Sequence, residues 1–214
     1  MRYVRSAGQG LMTTLSLGIA TYAVVGYGVL RMGVPGGEGQ LPSISASPVG
    51  IHGHIAAAAI ALALGPFQFS TRLRRSFQNV HRWSGRVYLV CVLVGGLFGL
   101  YVSQFAAGGV VARSGFAALA ICWLYSGARA FFAIRHGAIQ KHRKWMVRNF
   151  ALTFAAVTLR IYLPLSGAAG IEFATAYPII AWLCWVPNLL IAEWLFNTAT
   201  GTVRRRAPAG RTNE

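Results

Sequence analysis

The sequence predicts an all-α integral membrane protein, a bundle of six transmembrane helices. Three observations carry that expectation. Hydrophobic residues make up 55% of the 214 positions and charged residues only 11%, too few to cover a soluble domain of this size. Six apolar stretches each approach the ~20 residues that a helix needs to cross the hydrocarbon core. The cations gather in the connections between those stretches, on alternate sides. Helices are expected because an open strand edge in lipid leaves its backbone groups unpaired, and the ~10-residue alternating segments of a β-barrel are absent.

The spans are placed at residues 11–30, 49–69, 87–107, 114–134, 149–166 and 174–196, with 1–203 as one domain and 204–214 as a basic tail. The first follows Arg2 and Arg5, and its apolar run exceeds the ~7 to 15 residues of a secretory signal, so it is expected to remain as a helix. The loop from Arg31 to Gly50 is rich in Gly, Pro and Ser, and Pro48 suits the first turn of the second helix. That helix is Ala-rich. Arg72, Arg74, Arg75, Arg82 and Arg86 then precede or open the third, and Arg135, Lys141, Arg143, Lys144 and Arg148 lie between the fourth and the fifth. The sixth span leads into the tail.

With the N-terminus in the cytoplasm, 16 of the 20 cations fall on the cytoplasmic side, Arg31 and Arg113 fall outside, and Arg129 and Arg160 lie within spans. Every loop then obeys the positive-inside rule, which predicts an inner-membrane protein with both termini cytoplasmic. A formal charge of +16 does not mean nucleic acid here, since such binders need cations on one solvated face. Membrane lipids are the expected partners, anionic head groups above all for the tail. Cys91, Cys122 and Cys184 stand singly in three spans with no CxxC pair and read as small core residues. Hydrolytic motifs such as GxSxG, HExxH or a phosphate loop are absent.

Chemistry rests with the histidines and the polar groups inside spans, because ionisable residues in a membrane are costly. An outer cluster begins at "IHGHIAAAAIALALG", where His52 and His54 point about 200° apart on a helix, so only one faces the bundle easily. His54 is followed at helical spacing by Ala58, Ala61 and Gly65, a stripe that either admits a neighbouring helix or leaves room for a planar cofactor. Arg160, with Tyr162 near it, and Glu172 approach the same level, either as an interfacial ion pair or as a polar pocket completed by His54. An inner cluster joins His81, at the start of the third helix, to His142, at the start of the fifth. Two such imidazoles can supply both axial ligands of a haem b, or two ligands of a metal, with Arg86 and Arg148 toward the propionates. The alternative is that these residues only anchor helix ends at the head groups. Glu193, Asn188, Arg129 and Gln68 fall in the inner halves of their spans, and a Glu193 to Arg129 pair is one arrangement.

The runs "GPFQF", "HRWSGRVY" and "HRKWMVRNFALTFAAVTLR" resemble the bacterial membrane proteins grouped as domain of unknown function 2306, over about His52 to Pro164. The resemblance implies a multi-pass membrane protein with polar positions at His54, His81, Arg86, His142, Lys144, Trp145, Arg148 and Arg160, and it implies no reaction. A looser likeness is to six-helix dihaem cytochromes of the b561 type, but the fourth helix offers only residues such as Phe116 and Ala120 where an outer histidine is needed. Three readings follow: a haem-b or other redox module at the cytoplasmic face; a binder or transporter of a small anionic or lipid-derived ligand; and a helper subunit or homo-oligomer packing through small residues such as Gly95 and Gly99. None makes the chain an enzyme of stated reaction.

Overall fold

The computed structural model describes the backbone of residues 2–29 and 46–204, and the side chains of 8–27 and 46–195. Most of the Gly/Pro/Ser-rich loop, with Arg31, and the tail beyond Arg204 lie outside the described residues. Among those described, every regular element is helical. Helix α1 spans Arg2–Ala23 and runs into a π-helical turn, Val24–Val29. It is followed by α2 (Pro48–Gln68), a short α3 (Thr71–Ser76), α4 (Gln78–Ser103) and α5 (Gly109–Arg135). Then come α6 (Ile139–Thr153), α7 (Ala155–Ala168), α8 (Phe173–Leu183) and α9 (Val186–Arg204).

Six segments among these are long and apolar enough to cross a membrane: residues 8–27, 48–68, 78–103, 109–135, 139–168 and 173–195. Their outward faces carry large exposed apolar side chains such as Val90, Leu93 and Leu97 on α4 or Leu190, Ile191 and Trp194 on α9. In water such faces would be an association hazard; in lipid they are the expected solvent contact. The chain is a six-span helical membrane bundle.

Helices α1 and α5 begin before the predicted spans, at Arg2 and Gly109, and so do α4 at Gln78 and α6 at Ile139. The first turns of α4 and α6 hold Arg82 and Trp83, or Lys141, His142 and Arg143, amphipathic residues that keep charged tips in water while the helix below enters the apolar layer. The start of α2 follows its sequence signal: Pro48 occupies the first position and Ser47 caps it, its Oγ accepting from Gly50 N at 3.2 Å.

The last two spans are broken. α6 gives way to α7 at Phe154, and α8 to α9 at Cys184–Trp185. Pro187, in the first turn of α9, has no N–H to continue the α8 ladder. The carbonyl of Cys184 instead accepts from Thr158 Oγ1 at 2.7 Å and from Asn188 Nδ2 at 2.9 Å. Asn188 Nδ2 also reaches Thr158 Oγ1 at 2.9 Å and Ala151 O at 3.4 Å. The two breaks are therefore tied to each other near mid-span, each providing partners for backbone groups that the other exposes, as a lipid-embedded break requires.

Close packing fixes the rest. α2 lies along α4, which lies against α5, and α5 packs on α6 and α8. Gly65 of α2 is a contact point: a Cβ there would collide with the ring of Phe150 on α6. Gly65→Ala is expected to cost about 1 to 3 kcal/mol by overpacking, seen as a lower melting temperature in detergent. Gly65→Ala combined with Phe150→Leu should recover part of the loss, and an unchanged melting temperature in the single variant would contradict this packing. Gly95 and Gly99 are also used inside the chain, Gly95 against Ala57 and Trp123, Gly99 against His54. That stripe is taken up by contacts within the chain.

Candidate functional site

At the centre of the bundle the spans are joined by buried hydrogen bonds. Tyr88 of α4 donates to Asn149 Oδ1 of α6 at 2.7 Å. Asn149 Nδ2 donates to Trp123 O and to Ser126 Oγ of α5, both at 2.8 Å. Thr153 Oγ1 accepts from Trp123 Nε1 at 2.9 Å, donates to Asn149 O at 2.9 Å, and also lies 2.9 Å from the Tyr88 hydroxyl. Two hydroxyl protons thus serve three contacts, and Asn149, wholly buried, has its amide satisfied on both sides. Such a closed network specifies which helices meet, and in lipid each bond is worth roughly 0.6 kcal/mol, at most about 1.7.

Above this floor, away from the end where most cations lie, is a cavity of about 430 Å³. Trp123 and Thr153 line it from below, and Ala58, Phe116, Ala120 and Leu159 give apolar walls. Phe116 and Ala120 are thus pocket residues at the level where an outer haem would have needed a histidine. Two basic side chains reach in, His54 from α2 and Arg160 from α7.

His54 is set by the backbone opposite. Its Nδ1 lies 2.8 Å from the carbonyl of Gly95, so that nitrogen carries the proton and Nε2 is left as the acceptor. Gly99 makes room for the ring: a Cβ there would come within 2.8 Å of Nδ1 and 3.0 Å of Cε1. His52, two residues earlier, is exposed and bonds Pro48 O at 2.6 Å through Nδ1. Of the small-residue stripe below His54, Ala58 borders the cavity, Ala61 is fully buried and Gly65 is filled by Phe150.

Arg160 is the less ordinary residue. Its Nη1 donates to Ala156 O at 3.1 Å, one turn back on its own helix, and its guanidinium lies 5.9 Å from the ring centre of Tyr22 and 5.6 Å from that of Tyr27. Residues five apart on an α-helix point about 140° from each other. The wide π turn that follows Ala23 brings Tyr27 round to the guanidinium beside Tyr22, the two rings meeting edge to face at 6.0 Å. Arg160 Nε and the Tyr22 hydroxyl are buried without a hydrogen-bond partner. Of the two arrangements considered for Arg160, the ion pair with Glu172 does not form: Glu172 is exposed at the start of α8, and the salt bridge among the described residues is elsewhere. Pro164, one turn beyond Arg160, lacks the N–H that would bond the Arg160 carbonyl. The tyrosines were not foreseen, because their convergence needs the π turn, for which the sequence has only Gly26 and Gly28 as a signal.

The inner residues are arranged differently. His81 lies within electrostatic range of His142, Arg74 and Arg82, and its Nδ1 is buried without a partner. His142 Nδ1 bonds Ala130 O at 2.8 Å, leaving Nε2 outward. Arg86 stacks on Trp83, 4.7 Å from its ring centre. Arg148 forms a two-pronged ion pair with Glu193, Nε to Oε1 and Nη2 to Oε2, the second at 2.8 Å, and lies 4.7 Å over Trp145. This corrects the Glu193 to Arg129 expectation: α9 presents Glu193 to α6, and Arg129 of α5 turns to Tyr125 and Trp145 instead. Lys144 lies near Glu193 as well. Gln68 bonds Ser84 and Asn188 holds the helix breaks, so the inner polar residues form separate local contacts. No group of three or more His, Cys, Asp or Glu side chains among the described residues is placed to hold a metal ion.

Neither a curated protein nor a solved structure matches this sequence. A family model described as a predicted membrane protein (DUF2306) matches residues 51–196, which takes in five of the six spans, the cavity's His54 and Arg160 and the whole buried network, so the chain belongs to that family.

Proposed function

We propose that the protein binds a small lipid-derived molecule with an anionic head, taking it into the cavity with Arg160 as its counter-charge and the His54 ring as part of the wall beside it. One observation carries this reading: a guanidinium reaches into an apolar cavity with its Nε buried and unpartnered, and no carboxylate among the described residues meets it. A charge so placed is expensive unless paired, and two aromatic rings, the hydroxyl of Tyr27 and one carbonyl compensate only part of that cost. A bound anion supplies the rest. Apolar walls suit an alkyl or ring body, in the usual division of a ligand pocket into many apolar contacts and few polar ones. The distribution of cations supports a cytoplasmic basic end, which puts the cavity in the outer half of an inner membrane.

The test is titration of the purified protein with a fluorescent polyene fatty acid and, separately, its methyl ester. Saturable binding of the acid at one site, at least tenfold tighter than the ester and lost in Arg160→Ala, is expected. Equal binding of acid and ester, or an acid affinity unchanged in Arg160→Ala, rejects the reading. Mass spectrometry of lipids extracted from wild type and Arg160→Ala then names the natural occupant.

A second reading keeps the inner histidines as ligands of a haem b. It is favoured by the His142 Nδ1 bond to Ala130, which fixes the ring with Nε2 presented, as ligating histidines are commonly held. Reduced and oxidised absorption spectra of protein from haem-supplied cells decide it. A Soret band lost in His81→Ala and His142→Ala supports it, and a featureless spectrum from folded protein removes it.

A further inference from the structure

The geometry points to a second binding site, independent of the cavity: a seat for the phosphate of one anionic phospholipid on the lipid-facing side of α5, built around Arg129.

Three observations converge there. First, Arg129 is on the wrong face. Ile121, Tyr125 and Phe132, which share its side of α5 at helical spacing, are all large and exposed, and Arg129 is exposed with them. This stripe faces the lipid. Second, Arg129 does not reach toward water. It sits six residues inside the basic end of α5 at Arg135, about 9 Å along the axis. Its Nη1 donates at 2.9 Å to the hydroxyl of Tyr125, one turn back toward the bilayer centre. A cation that merely escaped the membrane would extend the other way. Third, the guanidinium lies against two aromatic rings, 5.6 Å from the Tyr125 ring centre and 5.0 Å from that of Trp145, which meet each other edge to face.

The charge balance of the cluster is unfinished. Arg129 and Arg148 share Trp145, with Lys144 close by, against the single carboxylate of Glu193, which Arg148 engages with both prongs. The other described acid, Glu172, lies at the far end of the bundle. No further carboxylate among the described residues completes the balance, and on this lipid-facing side the anion at hand is a lipid phosphate. A planar guanidinium held from one side leaves N–H groups in a fork that matches phosphate oxygens. Tyr and Trp flank it at the level where interfacial aromatics sit. A net-anionic head group is preferred over a zwitterionic one because the surplus charge of the cluster is positive and the choline of a zwitterionic lipid is repelled by it.

The full chain, purified into nanodiscs of equimolar phosphatidylglycerol and phosphatidylcholine and then released in native mass spectrometry, tests this. Wild type is expected to retain one phosphatidylglycerol at least fivefold over phosphatidylcholine. Arg129→Ala should abolish the preference, Arg129→Lys should retain part of it, and Arg135→Ala at the helix end should leave it unchanged. Tyr125→Phe, which removes only the hydroxyl that holds the guanidinium, should weaken it and gives a reading should Arg129→Ala fail to fold. Arg160→Ala should keep the preference, whatever its effect in the cavity. A preference that survives in both Arg129→Ala and Tyr125→Phe, or that wild type lacks, overturns the proposal.

Discussion

Asn149→Leu is expected to destabilise the bundle by roughly 2 to 4 kcal/mol, with loss of monodisperse protein in mild detergent. Asn149, like Thr153, joins three helices, accepting from Tyr88 on α4 and donating to both Trp123 O and Ser126 Oγ on α5 while projecting from α6. Leucine keeps the volume and deletes all three contacts. At about 0.6 to 1.7 kcal/mol per interhelical bond in a membrane, the hydrogen bonds alone account for most of the estimate. The rest comes from what leucine meets. Gly127 approaches Asn149 closely, with a Cβ position 3.4 Å from Nδ2, so a branched side chain has little space to turn away from it. Tyr88→Phe deletes one donor and Thr153→Val one hydroxyl, so the order Asn149→Leu, then Thr153→Val, then Tyr88→Phe is expected in a thermal denaturation series. Losses that scale with the number of bonds removed would mean that the contacts act singly, and equal losses from all three that the network fails as a unit; a larger loss from Tyr88→Phe than from Asn149→Leu would contradict the arrangement.

That network shows where a sequence is legible and where it is not. The spans could be read because each residue contributes to hydrophobicity independently, and the sum over twenty positions is robust. Cation placement added the alternation of ends by the same kind of sum. Asn149, by contrast, sits one turn after Trp145 and one before Thr153 in a run that looks like any interfacial helix start, and nothing local says that it faces Tyr88, sixty-one residues earlier. Pairing of charges fails for the same reason. Glu193 had two arginines within a plausible depth, Arg129 and Arg148, and only the rotation of α5 against α6 and α9 decides between them. The helix breaks were half visible. Pro187 marks the one in the last span, but the break at Phe154 has no proline beside it, and its signal is Thr158 and Asn188, polar residues that become intelligible once the two breaks are seen to satisfy each other. His54 and Arg160 were readable as costly residues in a membrane. That a cavity lies between them depends on α7 being offset from α6, which is a property of the break and not of either residue.

Gly99→Ala is expected to weaken binding of the polyene fatty acid at least tenfold with little change in the amount of folded protein. The methyl added there would stand 2.8 Å from His54 Nδ1 and 3.0 Å from Cε1, while the same nitrogen is bonded to Gly95 O at 2.8 Å. The ring cannot hold that bond and clear the methyl together. It has to swing away from α4, and the side open to it is the cavity, so the displaced imidazole occupies ligand space and loses the backbone contact that fixed its tautomer. A tenfold loss corresponds to about 1.4 kcal/mol, within reach of one misplaced ring in a confined pocket. Gly96→Ala is the control: it is on the same helix one residue away from Gly95, but the atoms nearest its methyl belong to the Leu124 side chain, Cδ2 at 2.6 Å and Cγ at 2.7 Å, with His54 not among them, so binding per folded protein should be unchanged. The decisive combination is Gly99→Ala with His54→Ala. With the ring gone the methyl has nothing to displace, so the double variant should bind like His54→Ala alone, a strong departure from additivity of the kind expected for residues in contact. Additive losses would place the effect of Gly99 on the packing of α2 against α4 and would separate it from the ligand site.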